Sequence, residues 1–159
     1  MSGLSWLTIL RKRENFRGAF RDFDPSAVSR FTARDISRLM GDAGIVRNRA
    51  KIEATINNAC RYSELVEEFG SFAAYAWRFE PTPRKRMLNS AALMKIGACD
   101  EAIAMSKDLR RRGWAFVGPT TAHSFIQAMG LVNDHIKGCA TGAEVERLRR
   151  AFVRPAVRR

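Results

Sequence analysis

A glycine-containing turn between two predicted helices is the part of the sequence best suited to binding a phosphate. Over residues 100–130 the apolar spacing predicts a helix, a tight turn and a second helix. Gly118 would let the backbone approach a ligand closely. The next residues, Pro119, Thr120 and Thr121, would open a helix whose free N–H groups form an anion site, which a DNA phosphate would fit. Alternatively, these features are only a helix C-cap and a turn.

Positive charge surrounds this turn. The 159 residues contain 28 Lys and Arg against 16 Asp and Glu, a formal net charge of +12, which favours nucleic acid or an anionic membrane surface as partner. Arg110, Arg111 and Arg112 precede the turn and would supply long-range attraction. The C-terminal end is also basic, and we expect one domain over residues 1–145 followed by a basic tail over 146–159, either solvated or a binding arm.

The apolar runs, the first residues and the cysteines indicate the cellular compartment. No run reaches the roughly 18 consecutive apolar residues of a membrane span. The first residues, MSGLSWLTIL, lack the basic start and cleavage site of a secretory signal. The three cysteines, Cys60, Cys99 and Cys139, are far apart and odd in number, so no disulfide framework is predicted. We therefore expect a soluble, cytoplasmic protein.

Helical periodicity runs through nearly the whole chain, so the predicted fold class is all-α. Asp24-Pro25 and Thr32 with Asp35 are typical of helix starts. A long helix is predicted from about Asn48 to Glu68, closed by Gly70, and a loop is predicted over EPTPRKRMLNS. The first helix is expected to carry one apolar stripe, made of Trp6, Ile9, Leu10, Phe16, Phe20 and Phe23.

Several long blocks make the sequence resemble the bacterial 3-methyladenine DNA glycosylase I family. The blocks are GLSWLTILRKRENFR, DAGIVRNRAKI, SKDLRRRGWAFVGPTTAHSFIQAMGLVNDH and KGC, in order and with suitable spacing over residues 3–139. The resemblance implies an all-α, helix-hairpin-helix DNA glycosylase-like fold. It implies base-excision repair: hydrolysis of the N-glycosidic bond of 3-methyladenine in alkylated double-stranded DNA, by a monomer.

The chemistry of this reaction indicates which residues matter. The alkylated nucleotide is cationic, so its base leaves readily once it is flipped out and recognised. Trp6 matches an aromatic residue of the family's base pocket, and its face would attract an electron-poor base; otherwise Trp6 is a core residue. Gly3 and Leu4 match a loop that contacts the duplex at the vacated space, so Leu4 is a candidate wedge, or else an ordinary chain end.

The resemblance also implies a structural zinc. His135 and Cys139 match two of its four ligands. The family carries about forty residues before the GLSW block, including its pocket glutamate and the other two ligands, whereas only Met1 and Ser2 precede that block here. We expect those residues to be encoded upstream. Without a metal, His135 would be a satisfied polar residue and Cys139 a small buried one.

Asp134 is the candidate for a substitute catalytic carboxylate, because related glycosylases carry an aspartate at a similar distance after the hairpin. Its alternative role is to cap local N–H groups or to orient His135. Arg47, Arg49 and Lys51 are candidates for phosphate contact, or form an ordinary solvated face. If the chemistry is lost, the chain would be a degenerate, non-catalytic DNA-binding remnant; a basic adaptor for an acidic protein is the third hypothesis.

Overall fold

The computed structural model describes residues 5–83, 89–94 and 97–156, without the side chains of Trp6 and Met94. Every regular element within these ranges is a helix, which confirms the predicted all-α class. None of these helices is both long and apolar enough to cross a membrane. The ten α-helices are α1 Trp6–Arg11, α2 Arg13–Ala19, α3 Pro25–Val28, α4 Ala33–Gly41, α5 Arg49–Phe69, α6 Phe72–Trp77, α7 Ser90–Met94, α8 Asp100–Arg111, α9 Pro119–Ala128 and α10 Ala140–Ala151.

Local capping signals set most of these boundaries. The side chain of Asn48 accepts a hydrogen bond from the N–H of Lys51 at the start of α5, and Gly70 ends that helix with φ 81° in the left-handed region. Asp24 caps α3 through the N–H of Ser26, and Pro25 occupies its first turn. These predicted boundaries are confirmed. Cys99 is the N-cap of α8, and Asp100 is the first residue of that helix.

The long helix α5 joins two hydrophobic cores. Its first half packs with α2, α3 and α4 in a cluster built around Phe20, Val28 and Leu39. Its second half packs with α6, α8 and α9 in a larger cluster. The buried members of the larger cluster are Leu65, Phe69, Tyr75, Ala76, Ala102, Met105, Leu109, Ala122, Ile126, Leu131 and Val132. The helical hairpin made by α8 and α9 is therefore held rigidly on one end of α5.

The predicted first helix is broken, which corrects the expected apolar stripe. Arg21, Asp22 and Phe23 have positive φ values between 53° and 60°, so the chain leaves the α-helix before the stripe ends. Phe20 is buried, but Leu10 and Phe23 are 53% and 48% exposed. They line an open, largely apolar cavity of about 630 Å³ between α1, α2 and α5.

Helix α10 crosses the expected border between domain and tail at residue 145. Arg149, in its last turn, is buried and donates to the carbonyls of Gly130 (2.7 Å) and Leu131 (2.6 Å). It also pairs with Glu80 at 3.0 Å, as does Arg154 beyond the helix at 2.7 Å. Ion pairs with Glu80 thus connect the chain as far as Arg154 to the segment that follows α6, and the division at 145 stays a prediction.

Candidate nucleic-acid interface

The turn of the helical hairpin runs from Gly113 to Gly118. Gly113 has φ 81°, and the following N–H, of Trp114, returns to the carbonyl of Leu109 at 3.0 Å, which closes α8. Trp114 packs its ring on Phe72, with centroids 6.0 Å apart. The turn therefore starts from a fixed helix end and a fixed aromatic anchor.

Side chains from outside the turn hold its backbone in place. Asn58, in the middle of α5, donates from Nδ2 to the carbonyl of Ala115 and accepts from its N–H through Oδ1, both at 2.9 Å. Its neighbour Asn57 donates to the carbonyl of Gly113 at 2.8 Å. The buried hydroxyl of Ser106 donates to the carbonyl of Val117 at 2.7 Å. None of these three residues was predicted from the sequence, where the two adjacent asparagines inside a predicted helix were the only signal for Asn57 and Asn58.

Helix α9 begins where predicted. Gly118 is its N-cap, Pro119 its first residue, and Pro119, Thr120 and Thr121 are all exposed. Gly118 has φ −64°, a value open to any residue, and a Cβ there would lie 3.9 Å from Nη2 of Arg110, an ordinary contact. The fold itself therefore does not require glycine at 118. The free N–H groups of this helix start and the neighbouring Arg110 form one positive surface.

The three consecutive arginines before the turn have different roles. Arg110 and Arg111 are exposed, and Arg111 pairs with Asp108. Arg112 instead turns inward, where Nε donates to Asp108 at 2.7 Å and Nη2 donates to Glu68 at 3.0 Å. Its guanidinium lies 5.1 Å from the ring centroid of Phe69. The expected attraction by the whole run is thus limited to Arg110 and Arg111, because Arg112 is committed to the fold.

Arg112 lowers the pKa of the two carboxylates that it contacts. Burial favours the neutral form of Asp108, but hydrogen bonds from Arg112, Arg111 and Tyr75 outweigh burial and hold the pKa of Asp108 below its usual range. The hydrogen bond from Arg112 also lowers the pKa of Glu68. Burial, and then the hydrogen bond to Asp108, raise the pKa of Tyr75. All three groups therefore keep their ordinary charge at neutral pH.

The second predicted basic group lies at the start of α5. Arg47 and Arg49 are exposed, and Arg49 pairs with Glu53 at 3.3 Å. Lys51 lies on the wall of the apolar cavity. Arg49 and Asn58 share α5, about 14 Å apart along its axis. The basic group and the hairpin are therefore positioned by one rigid helix.

Asp134 is nearly buried, with 7% of its side chain exposed. Its Oδ2 accepts a hydrogen bond from Nε2 of Gln127 at 2.9 Å and lies 3.8 Å from Nε2 of His123. Nδ1 of His123 accepts from the backbone N–H of Cys99 at 3.5 Å. The local cap after α9 is Asn133 instead, whose Oδ1 accepts from the N–H of His135. Asp134 therefore ties the segment after α9 to that helix.

His135 and Cys139 come together as a pair. Nδ1 of His135 lies 3.3 Å from Sγ of Cys139, a spacing that two ligands of one tetrahedral ion can adopt. Within residues 5–83, 89–94 and 97–156, no group of three or more His, Cys, Asp or Glu side chains could hold a metal. The structure therefore brings the two predicted ligands together, with no third candidate beside them in the ranges that it describes.

The predicted base-pocket and wedge residues are only partly placed. Gly3 and Leu4 lie outside the described residues. Trp6 is the first residue of α1, one helical turn before Ile9 and Leu10, which line the apolar cavity. The backbone thus puts position 6 on the same helix face as the cavity wall.

The fold and the site together define an all-helical protein with a basic helical hairpin and a nearly buried aspartate beside a His/Cys pair. Residues 1–142 match the family described as methyladenine glycosylase, and the chain belongs to this family. It is 43% identical over 139 residues to DNA-3-methyladenine glycosylase 1 of Escherichia coli (strain K12), covering 87% of this chain and 74% of that protein. It is 39% identical over 140 residues to DNA-3-methyladenine glycosylase of Haemophilus influenzae, covering 87% and 75%.

Solved structures agree with the sequence comparison. A variant of 3-methyladenine DNA glycosylase I, solved in complex with 3-methyladenine, matches with a TM-score of 0.81 at 41% identity, covering 89% of this chain and 76% of that one. The Staphylococcus aureus 3-methyladenine DNA glycosylase I, studied for its recognition of 3-methyladenine, matches with a TM-score of 0.80 at 41% identity, covering 89% and 75%. The resemblance inferred from the sequence blocks is confirmed.

Proposed function

We propose that this protein is a DNA glycosylase of base-excision repair that removes 3-methyladenine from alkylated DNA. The observation that carries the proposal is the structural match, over 89% of the chain, to a 3-methyladenine DNA glycosylase solved with 3-methyladenine bound. We propose that it acts as a monomer on double-stranded DNA in the cytoplasm. The unpaired state of Cys60, Cys99 and Cys139 is in keeping with a reducing compartment.

The reaction breaks the bond between C1′ of deoxyribose and the alkylated base. The base departs as the neutral 3-methyladenine and takes the bonding electrons with it. Water adds its oxygen to C1′ and loses a proton, which leaves an abasic site. Because the substrate base is already cationic, the protein mainly has to extract it and hold it. Trp6 would supply an aromatic face for the electron-poor ring.

DNA binding in this proposal rests on the helical hairpin. A backbone phosphate would sit at the N–H groups of Thr120 and Thr121, beside Gly118 and Arg110, because helix N-termini and arginine both favour anions. The basic group of Arg47, Arg49 and Lys51 would contact a further stretch of backbone from the other end of α5, and Gly3 and Leu4 would contact the duplex where the base is extruded.

Asp134 is more suited to a structural role than to catalysis. A catalytic carboxylate has to face the sugar on which positive charge develops, whereas Asp134 is 7% exposed and engaged by Gln127. We therefore propose that Asp134 fastens the segment after α9, and so keeps His135 and Cys139 in place.

His135 and Cys139 are proposed as two ligands of a structural zinc, which would staple the chain between α9 and α10. A structural zinc takes four ligands, so the proposal requires two further donors. Elemental analysis of the purified protein tests it. Stoichiometric zinc in the wild type, lost in Cys139→Ser but retained in Cys60→Ser, supports the site, and a metal content unaffected by Cys139→Ser contradicts it.

The proposed activity is tested with DNA treated with a methylating agent. Purified protein is incubated with this DNA and with unmethylated DNA, and the released bases are separated by chromatography and identified by mass. We expect free 3-methyladenine from the methylated DNA only. Salt-sensitive DNA binding without any base release would refute the proposed catalysis and support a non-catalytic DNA-binding protein instead.

A further inference from the structure

The tip of the hairpin turn carries an exposed aromatic ring on a strained backbone. Phe116 has φ 56°, in the left-handed region that disfavours side chains other than those of glycine, asparagine and aspartate. The residue as a whole is 56% exposed. A phenylalanine here has neither a relaxed backbone nor a buried ring to favour it.

The surroundings of Phe116 hold this conformation. Asn58 fixes Ala115 on one side by two hydrogen bonds of 2.9 Å, and Ser106 fixes Val117 on the other by one of 2.7 Å. Trp114 anchors the start of the turn on Phe72. Strain that persists because flanking contacts impose it is typical of functional sites.

Phe116 belongs to the turn that leads into the positive surface proposed to bind DNA. Phe116 precedes the N-cap Gly118 by two residues, and Arg110 lies beside Gly118. A phosphate bound at the start of α9 brings its own deoxyribose within reach of the turn. The sugar is the apolar part of the DNA backbone, and apolar side chains contact DNA at such places.

We propose that Phe116 is a DNA-binding residue that packs its ring on the deoxyribose next to the phosphate held at the start of α9. This inference rests on the proposed function and adds to it an apolar contact in the middle of a cationic surface. Such a contact would set how closely the hairpin approaches the sugar-phosphate backbone of the DNA.

Fluorescence anisotropy with a labelled duplex containing a tetrahydrofuran abasic analogue tests the contact, with affinity measured at several salt concentrations. Phe116→Gly removes the ring and relieves the strain, and Phe116→Asn also tolerates the left-handed backbone. We expect both variants to bind roughly tenfold more weakly, since the exposed half of a phenylalanine ring is no longer buried. Phe116→Tyr should bind within about twofold of the wild type. Leu148→Ala, at a residue 54% exposed on α10, is the matched control and should not change affinity.

Two further readouts separate direct contact from a structural role. An apolar contact releases no counterions, so the salt dependence of binding should keep its slope in Phe116→Gly, whereas a displaced hairpin would lose phosphate contacts and flatten it. The unfolding midpoint of Phe116→Gly should equal or exceed that of the wild type. Wild-type affinity in Phe116→Gly, or a flattened slope, refutes the inference. A wild-type protein that does not bind the duplex refutes the proposed function itself, and the inference with it.

Discussion

The hydrogen bonds between the side chain of Asn58 and the backbone of Ala115 allow a quantitative prediction about the stability of the hairpin turn. Asn58→Ala deletes the two bonds to Ala115, both 2.9 Å long and partly buried, together with a weaker 3.2 Å bond accepted from Asn57. At about 1 kcal/mol for each bond, the free energy of unfolding should fall by about 2 kcal/mol. For a chain of this size that corresponds to a melting temperature lower by about 4–8 °C.

Asn58→Asp is the sharper variant. The carboxylate still accepts from the N–H of Ala115 but cannot donate to its carbonyl, so two oxygens face each other across a hydrogen-bond distance. We expect a loss at least as large as in Asn58→Ala, although the shape is unchanged. Asn57→Ala loses an exposed bond to Gly113 and the 3.2 Å bond to Asn58 but leaves both bonds to Ala115 in place, so it is the control and should cost less.

Urea unfolding followed by circular dichroism measures these differences, and anisotropy with a DNA duplex measures their effect on the hairpin. Both Asn58 variants should also weaken DNA binding, because the turn that precedes α9 is no longer fixed. Variants at Asn58 that unfold within about 0.5 kcal/mol of the wild type, below the value of a single hydrogen bond, would refute this account of the turn.

Three further predictions follow from single side chains. Gly118→Ala should keep the stability of the wild type, because φ is −64° and the new Cβ makes an ordinary contact. The same variant should bind DNA about tenfold more weakly, because the methyl group obstructs the phosphate. An equal loss of stability and of DNA binding would contradict this prediction. Hydrogen bonds, chiefly from Arg154, lower the pKa of Glu80, so the ionised carboxylate stabilises the fold above the ordinary pKa near 4.5 and this stabilisation is lost as the pH falls below it. In urea unfolding, Glu80→Gln should therefore be less stable than the wild type at neutral pH and lose less stability in acid. An unchanged dependence of stability on pH would contradict this prediction. Asp134→Asn should lower the melting temperature. The rate of single-turnover base release, measured below the melting range, should stay within about threefold of the wild type. A rate loss of about a hundredfold would instead assign Asp134 to catalysis.

Elements with local signals could be predicted from the sequence. The boundaries of α5 follow from Asn48 and Gly70, each acting on backbone groups within one helical turn, and the start of α3 follows from Asp24 and Pro25. The hairpin was likewise predictable, because a glycine and a proline mark the start of α9.

Features that depend on distant residues could not be predicted in this way. Asn58 and Ala115 are 57 positions apart, and Arg149 and Glu80 are 69 apart, so no local pattern relates them. The basic composition of the C-terminal end fits either a solvated end or a binding arm, and it does not reveal that Arg149 is buried against carbonyls and a carboxylate that only the tertiary fold supplies. The apolar stripe continued through Phe23 in sequence, whereas positive φ values at Arg21 and Asp22 break the helix.

Single-turnover base release measures whether this chain excises 3-methyladenine. Excess protein is mixed with methylated duplex DNA, and free 3-methyladenine is quantified by mass spectrometry over time. We expect release that goes to completion on methylated DNA, is absent from unmethylated DNA and slows in Gly118→Ala. DNA that is bound by the protein but retains all of its 3-methyladenine would contradict it.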